Sequence, residues 1–125
     1  MRAIGHRNGI PKQDLIDGDA TCIGYKDGEF DLVCEFGILH HIKRPDLAVK
    51  EMLRVADKAI FICDVNNFWQ GSLLSRTIKQ LINFAGLWRA TDYLKTGGKG
   101  YTISEGDGLG YSYSVFNDYR QMHAA

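Results

Sequence analysis

Five side chains in this sequence stand where an α/β protein does its chemistry. Asp19, Glu35, His40, His41 and Asp64 each close or closely follow a short apolar run, and in open α/β sheets ligands bind beyond the carboxyl ends of the parallel strands. Asp19 lies in Gly18-Asp19-Ala20-Thr21. A short carboxylate beside free backbone N–H groups can accept from an amine while the next N–H donates to a ring nitrogen, and it suits an Asx turn or a helix cap equally well. Glu35 sits in a run fit for burial, where a carboxylate is costly unless it is paired or faces a wet crevice. A salt bridge at the sheet's end and a ligand contact both meet that condition. His40 and His41 can carry protons near neutral pH. Adjacent side chains point in different directions and lack the usual ligand spacing, so no metal is expected. Asp64, with Asn66 and Asn67, either lines the same crevice or caps a following helix. Trp69, Trp88 and the tyrosines of the tail either wall an apolar pocket or fill the core.

The elements that must position these residues follow from periodicity. Phe30 to Leu39 is almost continuously apolar, the pattern of a strand covered on both faces of a parallel sheet. Pro45 suits a first helical position, and Leu47, Ala48, Met52, Leu53 and Val55 recur at helical spacing, so a helix is expected to about Asp57. Lys58 to Asp64 is a second apolar run ending in an acid. Strand, helix and strand then form a parallel crossover. Upstream, Asn8-Gly9-Ile10-Pro11 ends an opening helix, and Gln13 to Asp17 reads as a strand feeding the Asp19 loop. Downstream, Gly71 to Trp88 carries a helical stripe that stops near Gly86. Tyr101-Thr102-Ile103 and Tyr111 to Phe116, on either side of Gly106-Asp107-Gly108, read as a hairpin that extends the sheet beyond the second run. The expectation is a three-layer α/β domain with its motifs in 14–64 and a helix and hairpin in 71–116.

Composition narrows the function. The 125 residues amount to one domain. Fifteen basic residues balance fifteen acidic ones, so the basic excess that captures nucleic acid or anionic lipid is missing. No run approaches a membrane span and no signal peptide opens the chain. Three cysteines (Cys22, Cys34, Cys63) without CxxC spacing, two of them in apolar runs where they behave as small hydrophobes, point to a reducing compartment. A cytoplasmic protein with no nucleic-acid or membrane partner is expected.

Taken in order, Asp17-Gly18-Asp19-Ala20-Thr21, Gly28-Glu29-Phe30-Asp31-Leu32-Val33, Phe36-Gly37-Ile38-Leu39-His40-His41-Ile42, Pro45 and Lys50-Glu51-Met52-Leu53-Arg54-Val55 resemble the class I S-adenosylmethionine-dependent methyltransferases of the type 11 branch. The resemblance spans about Asp14 to Asp64. It implies a Rossmann-like fold, S-adenosylmethionine as cofactor and a small-molecule methyl acceptor. Asp19 and Ala20 fall where that family contacts adenine. Glu35 and Phe36 fall beside the methionine part of the cofactor, and Leu39-His40-His41 borders the pocket, with either histidine a candidate base. The family's glycine-rich loop and the acid that holds the ribose hydroxyls have no counterpart in Met1 to Gln13. By resemblance, then, the chain is the C-terminal part of such a domain, and no transfer is expected from it alone. Two other readings stay open: a non-catalytic remnant or interaction module, and a metal hydrolase using His40, His41 and Asp64.

Overall fold

The computed structural model describes residues 7–66 and 71–124. The opening residues of the expected first helix, together with Asn67 and Trp69, lie outside them. Arg7 is helical, and the chain leaves it through Gly9 at φ 80°.

The centre is the expected crossover. Strand β1 (Phe30–Phe36) leads to helix α1 (Pro45–Val55), which passes without a loop into strand β2 (Ala56–Cys63). Pro45 sits in the first helical turn, where its missing N–H has no partner to lose. The strands pair in parallel from Phe30↔Ala56 to Phe36↔Cys63, with one irregularity between Phe30 and Leu32. Gly37, at φ 67°, ends β1: its N–H donates to the Cys63 carbonyl (2.9 Å), and its left-handed backbone turns the chain into the 3-10 turn Leu39–His41. The core forms where α1 meets this turn and the tail. Leu39, Ala48, Val49 and Tyr113 are its buried centre, with Ala20, Leu53, Ile62 and Met122 packed around it.

The rest departs from expectation at four places. Gln13 to Asp17 forms no strand. Lys12–Asp14 is a 3-10 turn, and the only pairing nearby is the isolated bridge Asp19↔Cys22, because no neighbouring strand offers this segment a ladder. The sheet has two strands and is covered by α1 on one face; Leu32, Phe36 and Phe61 stay exposed on the other, so the described residues build two layers where three were expected. Cys34 and Cys63 share that bare face by strand alternation, which leaves them exposed rather than buried. The stripe after Gly71 does stop where expected, α2 (Leu73–Phe84) ending just before Gly86 at φ 72°, and a further helix, α3 (Trp88–Lys95), follows it. Finally, the hairpin is short and separate. Its strands β3 (Thr102–Ser104) and β4 (Gly108–Gly110) make their own two-stranded sheet. Tyr111 to Phe116 reaches the region beyond β2 only through the bridge Asn66↔Ser114, then turns through Val115–Asp118 into helix α4 (Tyr119–Ala124). Burying Tyr113 and Ser114 in the core outweighs continuing the ladder. No helix among the described residues is long and apolar enough to cross a membrane.

Candidate functional site

The carboxyl ends of β1 and β2 bring four of the five expected residues together: Glu35, His40 and Asp64, with the His41 ring packed beside that of His40. Glu35, the one buried residue of β1, points to the covered side of the sheet, and its Oε1 accepts from the N–H groups of Ile38 and Leu39, closing the turn that follows. Its other oxygen, Oε2, is buried with no hydrogen-bond partner. Burial pushes the Glu35 carboxyl up, the Ile38 amide works against that, and the negative charge of Asp64 adds to it. Asp64 follows β2 with its side chain wholly buried (0% exposed). Burial alone would raise it, yet the Val65 amide and His40 hold it below the ordinary carboxylate range.

His40 ties this pair to the hairpin. Its Nδ1–H donates to Asp64 Oδ1 at 2.7 Å, while Nε2 lies 3.3 Å from Asp107 Oδ2. Burial pulls the imidazole down, but Asp64 and then Asp107 outweigh it, so His40 holds its proton above the usual histidine range. His41 donates from Nδ1 to the Leu109 carbonyl (2.6 Å), and the Tyr111 N–H donates to the His40 carbonyl (2.7 Å). These two bonds strap β4 onto the 3-10 turn. The arrangement can relay a proton: a buried carboxylate orients an imidazole whose far nitrogen faces the exposed Asp107 carboxylate.

The fifth, Asp19, stands apart. Asp19 makes an Asx turn, with Oδ1 accepting from the Thr21 N–H (2.8 Å) and Thr21 Oγ1 (2.7 Å), which holds the exposed carboxylate low. Among the described residues its Oδ2 is unengaged, and Ala20 packs onto the Leu39 cluster, so the loop stands beside the segment leaving β1. Phe36 points away from Glu35 to the bare sheet face, in ring contact with Phe61. Asn66 accepts from Ser114 Oγ (3.1 Å).

A cavity of about 310 Å³ opens beside His40, walled by Trp88, Tyr101 and Tyr111 together with Lys79, Asp92 and Asp107. Trp88 and two of the tail tyrosines expected around a pocket are therefore there, among charged neighbours, while Tyr113 fills the core and Trp69 lies outside the described residues. Trp88 Nε1–H donates to Ser112 Oγ (3.0 Å). Sequence reasoning missed Asp107. As the middle residue of Gly106-Asp107-Gly108 it carries only the signal of a turn.

Residues 1–62 match the family model described as a methyltransferase domain of type 11. No curated protein and no solved structure matches the chain.

Proposed function

Residues 1–62 match the methyltransferase-domain family, and from that premise we propose that this chain takes part in S-adenosylmethionine-dependent methyl transfer to a small-molecule O, N or C nucleophile. The family match carries the reading, because it covers β1, α1 and β2 as far as Ile62, with Glu35 and His40 inside it and Asp64 two residues beyond. S-adenosylmethionine, the cofactor the family generally uses, supplies a methyl group on a sulfonium for in-line displacement. Such a reaction asks the protein mainly for positioning and exclusion of water.

Two observations fit that cofactor. Asp19 Oδ2, unengaged among the described residues, and the Ala20 N–H would offer an acceptor and a donor to an adenine edge. Glu35 Oε2, buried and lacking a partner, offers an acceptor beside the end of β1, where Glu35 and Phe36 border the methionine part. His40, held by Asp64, is the residue to take a proton from an acceptor lying in the 310 Å³ cavity. His41, its Nδ1 occupied by Leu109, is the weaker candidate. The exposed, free thiols of Cys22, Cys34 and Cys63 suit a reducing, cytoplasmic setting.

Met1 to Gln13 supplies neither a glycine-rich turn nor an acid for the ribose hydroxyls. Two missing charged hydrogen bonds weaken a micromolar ligand roughly a hundredfold. Titration of the nitrogen-15-labelled chain with S-adenosylmethionine, read by amide chemical shifts, tests the reading. Weak binding is expected, with shifts at Asp19–Thr21 and Glu35–Leu39 and no transfer of labelled methyl. Silence at millimolar cofactor, or shifts confined to other segments, overturns it. A non-catalytic interaction module, favoured by the bare sheet face of Leu32, Phe36 and Phe61, is the reading that silence would leave.

A further inference from the structure

The 3-10 turn after β1 and the tip of the β3–β4 hairpin set three ligand-type groups face to face. His40 Nε2 lies 3.3 Å from Asp107 Oδ2, and His41 Nε2 lies 3.5 Å from Asp107 Oδ1. A donor atom from each of the three residues falls within 4.8 Å of the others. Zinc holds nitrogen and oxygen donors at about 2.0–2.2 Å in a tetrahedron, whose edges are then about 3.4 Å. Two of the three separations already have that length.

The hydrogen bonds behind the rings point the same way. Asp64 Oδ1 and the Leu109 carbonyl can only accept, so His40 and His41 both carry hydrogen on Nδ1. Both Nε2 atoms therefore face the Asp107 carboxylate. Lone pairs opposite carboxylate oxygens repel, and a divalent cation set between the three groups turns that repulsion into coordination. Ligating histidines characteristically donate their second ring N–H to a carboxylate or backbone carbonyl, which fixes the tautomer and aims the ligating nitrogen. Here one histidine uses each kind of acceptor.

We propose that His40 Nε2, His41 Nε2 and the Asp107 carboxylate bind a divalent transition-metal ion of the zinc class. Two imidazoles and one carboxylate suit zinc or ferrous iron, whereas magnesium and calcium take oxygen donors. The side chain of Asp107 is 71% exposed, so the ion has a path in. Three protein donors leave a fourth position open, and since His40 and Asp107 both line the cavity, that position gives onto it. An oxygen or nitrogen of a small molecule in the cavity is the fourth ligand. The site draws no support from the methyltransferase reading, and an ion on His40 Nε2 would take the nitrogen that reading uses to accept a proton, so only one of these two roles holds for His40 at a time.

Equilibrium dialysis of the full chain against Zn²⁺, with Co²⁺ as a coloured probe, tests the proposal. One equivalent of zinc is expected at micromolar or tighter affinity, with tetrahedral visible bands from cobalt and no thiolate charge-transfer band. Asp107→Ala, at an exposed turn where circular dichroism should stay unchanged, is expected to weaken binding at least tenfold, and His41→Ala likewise. The chain with Cys22, Cys34 and Cys63 all replaced by serine should bind as tightly as the parent. Absence of binding by the folded chain, affinity unchanged in Asp107→Ala, or binding lost with the cysteines would each overturn the site.

Discussion

Helix α1 turns Ala48, Val49, Met52 and Val55 toward its neighbours and buries all four, whereas α2, with Leu73, Leu74, Ile78, Leu81 and Phe84 along its length, buries none. Phe84 is 93% exposed. Each large apolar side chain left in water forgoes about 1.5–3 kcal/mol of burial. The two helices differ less in pattern than in what lies opposite them. The crossover delivers α1 to a sheet made by the strands on either side of it, so its partner is supplied by connectivity. Nothing among the described residues supplies one for the stripe of α2 or for the bare face of β1 and β2. An amphipathic pattern states which face requires cover; the cover must come from somewhere else.

That contrast can be broken most sharply by placing a charge on each helix. Val49→Asp puts an unpaired carboxylate at a position with no exposure and is expected to remove about 3–5 kcal/mol, a large share of the stability of a small domain. Leu81→Asp, at a position 64% exposed, should shift stability by less than about 0.5 kcal/mol. Urea unfolding followed by circular dichroism compares them, and equal losses would show that α2 is covered after all.

A smaller effect locates the point where the tail is anchored. Tyr113 Oη donates to Asp118 Oδ2 at 3.0 Å, and both residues are buried. Tyr113→Phe strands the Asp118 carboxyl and should destabilise the chain by about 1–3 kcal/mol in the same urea experiment. An unchanged midpoint would mean that the tail is held elsewhere.

The smallest expected effect concerns acid. On the outer side of α1, Glu51 Oε2 accepts from the Ile23 N–H (2.8 Å) and Arg54, and Arg54 also donates to the Ile23 and Tyr25 carbonyls and to Asp27. Arg54 first, then the Ile23 amide, lowers Glu51 from the ordinary 4.5 to about 2. A carboxylate depressed in the folded state adds stability above its unfolded pKa and loses it as pH falls through the folded one. Protection of the α1 amides, measured against their intrinsic exchange rate at each pH, should therefore fall between pH 4.5 and 2, and Glu51→Gln should flatten that step. Helix α2 contains no carboxylate, so its amides should show no such step. A step of equal size in both helices would place its origin outside the Glu51–Arg54 clamp.

Periodicity alone located β1, α1 and β2 to within a few residues, because each apolar run is short-range and its partner lies within the same crossover. It also singled out Glu35, His40 and Asp64, since a charged residue closing an apolar run is conspicuous by composition. The strand expected over Gln13 to Asp17 failed for the complementary reason: Leu15 and Ile16 have strand character, but a strand exists only through the neighbour that accepts its hydrogen bonds. The long hairpin failed at Tyr113, where the alternation was real but the core under α1 was the better partner.

The cluster around Asp107 was beyond any spacing rule. Sixty-seven residues separate it from His40, and only the bonds from His41 to Leu109 and from Tyr111 to His40 bring the hairpin tip over the 3-10 turn. Local sequence governs which face of a segment is apolar and which residues end it, because those properties depend on neighbours along the chain. Which two ends then meet depends on the surfaces that pack between them, and that information resides in no single segment.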